Sequence, residues 1–268
     1  MTVPLLKDGL SFDQWLWRVL KGNAMPKSNY DLEDQIENSH WWFVVRKNLL
    51  KSVLSSGLLP LDSVAVDVGC GAGSNLSILK SLGFNVFGLD RSCYALSLVT
   101  KKLNLPVIAG DLTELPLRSE SVGLIVAMDV LEHLESDVDG IHEIYRTLKK
   151  GGALILTVPA FRFLRGTQDI VTGHKRRYSM KEILNKLERE EFEIIKSSYF
   201  NFFLFFPILI ARHLIYLLGV WIESENRINA PFINFILKGF FSLEPFLLKY
   251  VSFPFGVSIF CIAKKRAI

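Results

Sequence analysis

From Ser63 onward the chain alternates short runs of β-branched and apolar residues with stretches in which apolar residues recur every three or four positions. Runs of the first kind predict buried strands and the second kind amphipathic helices, so the alternation predicts an α/β fold with a mostly parallel sheet and helices on both faces. Strands are expected at Val64–Asp67, Asn85–Leu89, Val107–Ala109, Val122–Met128, Ala153–Val158, Phe192–Ser198 and Val257–Ala263. Helices are expected from Ser74 to Gly83, from Ser92 to Asn104, and before Gly151-Gly152, where Ile141, Ile144, Tyr145 and Leu148 share a face. Ser179 with Glu182 forms a capping box for another, with Met180, Ile183, Leu184 and Leu187 turned inward. Ahead of the sheet, Tyr30–Ser56 reads as one long helix, and Phe12–Lys21 as a short amphipathic one that packs on the domain or lies at a bilayer interface.

One interval breaks the rhythm. More than fifty residues separate the last two strands, where a short connection suffices. The interval is rich in phenylalanine, with Phe200, Phe202, Phe203, Phe205 and Phe206 at its start. Phe202–Ile222 is long enough, at about 1.5 Å per residue, to cover a hydrocarbon core of roughly 30 Å. Arg212 would then sit at its midpoint, and the last strand must rejoin the sheet, so a single span is rejected. Asn234, Lys238 and Ser242 mark a narrow polar stripe on the second half. The interval is expected to be a helical insertion lying in a bilayer interface or covering an apolar substrate channel; an ordinary second core or a homodimer interface is the alternative.

The candidate chemistry lies where strands end. Val64–Asn75 runs from a strand through Asp67 into Gly69-Cys70-Gly71-Ala72-Gly73 and then a helix start. Glycines there permit positive φ and close approach of backbone N–H groups, and the helix N-terminus favours an anionic group. The third glycine follows after one residue rather than two, Ser74 standing where a dinucleotide fingerprint needs glycine. An NAD-dependent oxidoreductase is therefore the weaker reading. Asp67, Asp90, Asp111 and Asp129 each stand at or just after a strand end, so four carboxylates should converge on one crevice.

Composition changes this picture little. Half of the 268 residues are apolar, enough for a substantial core, and the net charge of +4 comes without a basic-aromatic array of the kind nucleic-acid binders use. No nucleic-acid partner is expected. Cys70, Cys93 and Cys261 lack metal-ligand spacing, so neither a disulfide nor a metal site is expected. No secretory pattern opens the sequence, and a cytoplasmic location, peripheral on the cytoplasmic membrane face, is the expectation.

Asp67-Val68-Gly69-Cys70-Gly71-Ala72-Gly73, Leu89-Asp90-Arg91, Gly110-Asp111-Leu112, Asp129-Val130-Leu131-Glu132-His133 and Leu148-Lys149-Lys150-Gly151-Gly152 together resemble the class I S-adenosylmethionine-dependent methyltransferases. The resemblance spans roughly Trp41 to Phe200 and implies a Rossmann-like seven-stranded sheet with the last strand antiparallel. It implies S-adenosylmethionine as cofactor, with the loop Asp67, Gly69, Cys70, Gly71, Ala72 and Gly73 on its methionine part and Asp90 on the ribose. Asp111 and Leu112 would face the adenine, Arg91 would pack near the adenosine, and Asp129 would lie beside the amino group. Cys70 reads as a small filler rather than a nucleophile. His40-Trp41-Trp42-Phe43 and Gly173-His174-Lys175-Arg176-Arg177-Tyr178 resemble two boxes of a subgroup of these enzymes suspected of acting on lipids or glycans.

On that basis His174 is a candidate base, as is His133, which reads equally as a cofactor-shell histidine. His40 and Trp41 are candidate lid or substrate residues, with a core-anchor role as the alternative. Arg176, Arg177 and Tyr178 are candidate substrate contacts, two cations for phosphate or carboxylate and a phenol for packing. His142 falls on a solvent face and has no assigned role. The expected organisation is an extension over 1–29, a methyltransferase core over 30–200, the apolar insertion over 201–252, and the final strand with a basic tail over 253–268. The expected activity is O-methylation of a lipid, quinone precursor or lipid-linked glycan; a catalytically silent cofactor-binding interaction module is the alternative from another class.

Overall fold

A computed structural model describes residues 27–55, 57, 64–218 and 231–267. The expected helix at Phe12–Lys21 and residues 219–230 of the insertion lie outside the described residues. The elements are α1 (Lys27–Ile36), α2 (Trp41–Leu54), β1 (Val64–Val68), α3 (Ser74–Ser81), β2 (Asn85–Asp90), α4 (Cys93–Leu103), β3 (Val107–Ala109), β4 (Val122–Met128) and α5 (Asp137–Thr147). They continue as β5 (Leu148–Pro159), α6 (Thr167–Val171), α7 (Met180–Arg189), β6 (Phe192–Phe200), α8 (Phe205–Leu218), α9 (Pro231–Phe241), α10 (Leu243–Leu247) and β7 (Ser258–Lys265).

The seven strands form one sheet in the order β3-β2-β1-β4-β5-β7-β6. β7 slots between β5 and β6 and runs antiparallel to both. The neighbours from β3 across to β5 are parallel. Strand order reverses between β1 and β4, and this is the switch point at which a crevice opens beyond the carboxyl ends of the strands. Two apolar clusters cover the sheet. One joins α2, α3, α4 and the insertion to one face, and the other joins α5 and α7 to the opposite face.

Local chemistry sets most boundaries. Ser92 caps α4 by accepting from the Ala95 N–H, Ser136 caps α5 from Asp139, and Ser179 caps α7 from Glu182. The long helix expected over Tyr30–Ser56 is instead two. His40 takes an extended backbone and its Nδ1 accepts from the Trp42 N–H, so the imidazole serves as the N-cap of α2 and ends the continuity.

The insertion is not a detached lobe. Asn234 Oδ1 accepts from the Trp41 N–H at 3.1 Å, Asn48 donates to Ser242 Oγ at 3.3 Å, and Ser52 donates to the Pro245 carbonyl at 3.1 Å. Two members of the expected polar stripe, Asn234 and Ser242, therefore face core helix α2. Phe235 and Phe240 face outward instead, 75% and 56% exposed, while Leu237 and Phe241 pack against the core. Among the described residues no helix is long and apolar enough to cross a membrane.

Candidate active site

The crevice beyond the switch point has a volume of about 1000 Å³, and both ends of the sequence-predicted site line it. At one end lies the glycine loop. Gly69 has φ +69°, and a Cβ there would stand 2.5 Å from a Val130 methyl group, so no side chain fits. Gly71, at φ +51°, has open space where its Cβ would be, which leaves its backbone accessible from the crevice. Gly73 does not line the crevice; it caps α3 at its N-terminus and lies against Leu103 and Val99. Cys70 and Ala72 do line it. Burial holds the Cys70 thiol well above its usual range, and its sulfur fills the space beside Gly88, which fits the filler role.

The four carboxylates converge as the strand ends require. Asp67 is fully buried and pushed up to about 7 by that burial, against an Asn75 hydrogen bond and the nearby Arg46 charge. Its Oδ1 accepts from Asn75, and its Oδ2 has no hydrogen-bond partner. Asp90 accepts from Gly71 N–H at 3.0 Å and Ser92 N–H at 2.8 Å, which ties the loop to the end of β2. Asp111 accepts from the backbone and hydroxyl of Thr113 and pairs with Arg91 at 3.1 Å. Leu112 is buried beside it and lines the crevice. Asp129, at φ +56°, pairs with Arg46 at 3.0 Å and accepts from the Thr157 hydroxyl at 3.1 Å.

These residues fit the expected cofactor. Its amino group and ribose hydroxyls are donors, and Asp90, Asp111 and Asp129 line this end of the crevice as acceptors, while Asp67 is fully buried behind the lining with its Oδ2 unpaired. Its carboxylate suits the backbone N–H groups of the Gly71–Ser74 turn at the start of α3.

The other end is assembled from distant segments. Leu131–His133 forms one 3-10 turn after β4, and the Lys175 N–H donates to the Glu132 carbonyl, which clamps the loop before α7 against that turn. His174 Nδ1 lies 2.9 Å from Asp169 Oδ1 and its Nε2 lies 3.8 Å from Glu132 Oε1. Asp169 also accepts from Arg177 Nε at 2.8 Å and from Gly166 N–H at 2.7 Å, and Arg212 of α8 stands 3.7 Å away. Although burial would raise it, the His174 and Arg177 contacts hold Asp169 well below the usual carboxylate range. An ionised Asp169 can only accept, so His174 donates to it from Nδ1 and turns Nε2 toward Glu132. Burial, and then the neighbouring His174, depress His133 to about 4, which keeps it neutral at neutral pH.

Several sequence-predicted substrate residues need correction. Tyr178 is fully buried and donates to Asp137 Oδ2 at 2.9 Å, because its ring completes the core beneath α5. Arg176 donates to the carbonyls of Leu134 and Glu135 and pairs with Asp137. Neither lines the crevice. Arg177 does, but its guanidinium is spent on Asp169 and the Ala160 carbonyl, so it positions rather than binds. His40 is buried as a helix cap, and it and Trp41 both line the crevice. His142 is exposed and meets only Glu190, consistent with no role. Sequence reasoning missed Asp169, Arg46 and Glu132 as site residues. The sole signal for Asp169 was its position four residues before the Gly173-His174 box; nothing local distinguished it from a surface aspartate.

Residues 66–156 match the methyltransferase domain family. A protein of Mycolicibacterium smegmatis described as a probable S-adenosylmethionine-dependent methyltransferase is 28% identical over 132 residues, which are 48% of this chain and 51% of that protein. This chain thus spans about half the length of that relative. The ubiquinone/menaquinone biosynthesis C-methyltransferase of Campylobacter jejuni is 24% identical over 254 residues, covering 88% of this chain and 92% of the relative. Among solved structures, a Haemonchus contortus phosphoethanolamine N-methyltransferase bound to phosphomonomethylethanolamine and S-adenosylhomocysteine superposes with a TM-score of 0.59 at 16% identity, covering 94% of this chain and 60% of that one. A cyclase, SpnF, does so with a TM-score of 0.56 at 19% identity, covering 83% and 81%. The cyclase carries the same fold with a different reaction, so fold alone does not set the chemistry. The sheet order, the glycine loop with its converging carboxylates and the matched domain place this chain among the class I S-adenosylmethionine-dependent methyltransferases.

Proposed function

We propose that the chain transfers the methyl group of S-adenosylmethionine to an oxygen of an apolar small molecule: a lipid, a quinone precursor or a lipid-linked glycan. The observation that carries this reading is the crevice itself, which runs from the carboxylates of the cofactor end to His174 and is walled there by Leu204, Ile208, Ala211 and Leu237 of the insertion. An apolar acceptor suits that wall, and its hydroxyl would meet Glu132, His133 and His174 beside it.

When bound, the cofactor supplies an electrophilic methyl group on a sulfonium. Gly71, the α3 N-terminus, Asp90 and Asp129 hold and orient it, and buried Asp67 supports the loop through Asn75. The insertion excludes water and aligns the acceptor, and in an in-line displacement that positioning is most of the catalysis. His174, held by Asp169, would take up the proton of the acceptor hydroxyl. Two relatives are named for quinone or hydroquinone chemistry, the ubiquinone/menaquinone biosynthesis C-methyltransferase of Campylobacter jejuni and a 2-methyl-6-phytyl-1,4-hydroquinone methyltransferase of Arabidopsis thaliana that is 31% identical over 131 residues. They support an aromatic, tail-bearing acceptor, without deciding between oxygen and carbon.

The face of α8 opposite the crevice supports delivery from a membrane. Phe206, Ile210 and Leu214 recur four residues apart on α8 and are each at least half exposed, and Phe235 and Phe240 are exposed on α9. A helix that lines the acceptor crevice on one side and bares an apolar stripe on the other suits a lipid interface. The test is incubation of purified protein with methyl-labelled S-adenosylmethionine and a membrane extract, followed by phase partition. Label is expected in the organic phase, in a product stable as an ether or ester. Label confined to a polar molecule in water overturns the apolar acceptor, and no label in any fraction favours a silent cofactor-binding module.

A further inference from the structure

Three metal-ligand side chains meet at the acceptor end of the crevice. One ligand atom each from Glu132, His133 and His174 lies within 4.8 Å of the others. Two of these residues are consecutive in a 3-10 turn and the third comes from the loop before α7. The carboxylate of Glu132 is fully buried, and neither of its oxygens has a hydrogen-bond partner. A buried carboxylate in that state is costly unless a cation or donor compensates it. The arginines nearby are committed elsewhere: Arg177 to Asp169 and the Ala160 carbonyl, and Arg46 to Asp129 and the Met128 carbonyl.

The surroundings match a metal centre at a second level. His174 is held through Nδ1 by Asp169, and a carboxylate behind a ligating histidine is the usual device that fixes the tautomer and aims the other nitrogen at the ion. Here that other nitrogen, Nε2, faces Glu132. We propose that Glu132, His133 and His174 bind one divalent transition-metal cation of the Zn2+ type. Two imidazoles and one carboxylate suit zinc, cobalt or iron rather than magnesium, which prefers oxygen ligands throughout. Three protein ligands leave a position open toward the crevice.

The cation deepens the reading of the acceptor end, and its role in turnover rests on that reading. A hydroxyl oxygen of the acceptor occupies the open position, and its O–H bond is weakened by the adjacent positive charge. The proton leaves to water, the oxygen keeps the electron pair, and the metal changes no oxidation state. His174 is then a ligand, and the ion lowers the hydroxyl pKa in place of a free base.

The test reads metal without activity. Full-length protein stripped with a chelator is titrated with CoCl2 while the visible absorption of tetrahedral Co2+ is followed, and with ZnCl2 while its melting temperature is followed. One equivalent per chain is expected, with a rise in melting temperature. His174→Ala and His133→Ala should each weaken Co2+ binding at least tenfold. Glu132→Gln should abolish the spectrum while leaving the metal-free melting temperature and S-adenosylmethionine affinity unchanged, so loss of binding there is not loss of fold. Absence of a stoichiometric Co2+ spectrum, or a spectrum unchanged in His174→Ala and Glu132→Gln, overturns the site. Failure of methyl transfer in the partition assay with an intact Co2+ titration would instead overturn the acceptor reading and leave the metal site standing.

Discussion

The two ends of the crevice are built in opposite ways. At the cofactor end a single stretch, Val64–Asn75, supplies Asp67, the glycine loop and the start of α3, and the neighbouring strand ends bring Asp90 and Asp111 alongside. At the acceptor end, Glu132 and His133, Asp169 and His174, and Arg212 come from three separate segments, the first pair meeting His174 and the arginine meeting Asp169. The first construction is local and tolerant of what lies outside the sheet. The second depends on the packing of α8 and the loop before α7. Damage at the first should remove cofactor affinity, and damage at the second should leave affinity intact and remove turnover.

The sharpest test of that separation is Asp90→Ala, which removes the carboxylate proposed to accept from the ribose and unties Gly71 from β2. Calorimetry should show S-adenosylmethionine affinity reduced by more than about 100-fold, the loss expected when a charged hydrogen-bonding group and its loop anchor go together. Retained affinity would mean that the carboxylates do not form the cradle. His174→Ala should do the reverse, leaving cofactor affinity within about twofold while kcat falls about 10²- to 10⁴-fold. Loss of cofactor binding in that variant would erase the distinction between the two ends.

Gly69→Ala attacks the cofactor end through the backbone. It combines positive φ with a 2.5 Å approach to Val130, and should cost about 1–3 kcal/mol in denaturant unfolding together with weaker cofactor binding. An unaltered midpoint would show that the loop relaxes freely. On the far side, Phe206→Ser with Ile210→Ser should lower sedimentation with anionic vesicles severalfold and leave S-adenosylmethionine affinity unchanged. Equal vesicle binding by the variant would exclude this stripe as the membrane contact.

The smallest effect concerns the seam that holds the insertion to the sheet. Glu244 is fully buried, accepts from the Phe202 N–H at 3.0 Å, and is pushed up to about 7 by burial, from a reference value of 4.5. Because its folded pKa is raised, the native state binds the proton more tightly, and this contribution to stability is full below about 4.5 and declines as pH rises toward about 7. Thermal unfolding at pH 5 and pH 8 should show a decline with pH of about 1–3 kcal/mol that Glu244→Gln flattens. An identical slope in wild type and variant would assign the pH dependence to another group.

How much of this was legible beforehand follows the same division. Six of the seven expected strands match the sheet to within two residues at each end, and β1 to β4 are short apolar runs stopped by glycine or a carboxylate, but β5 begins at Leu148, so that Gly151-Gly152 lies inside a strand rather than after a helix. The glycine loop was legible because its constraint is local. The split of the leading helix was not, since the cap is an imidazole rather than the serine or aspartate that usually marks a helix start. Arg176 and Tyr178 share a sequence box with His174, yet their side chains leave it in other directions and end on Asp137. The polar stripe of the insertion was visible, but its direction was not. Asn234 and Ser242 turn inward because α2 offers them a backbone N–H and an amide as partners, which leaves Phe235 and Phe240 outside.

The sequence by itself determined the α/β alternation, the loop that approaches an anionic group, and the carboxylates at the ends of the strands, for hydrophobic period and glycine placement act over a few residues. Only the tertiary structure decided which ionisable groups meet. That Asp169 holds His174, that Glu132 is buried beside two imidazoles, and that the insertion walls the crevice depend on contacts between segments far apart in the chain, and neither spacing nor composition encodes such distances.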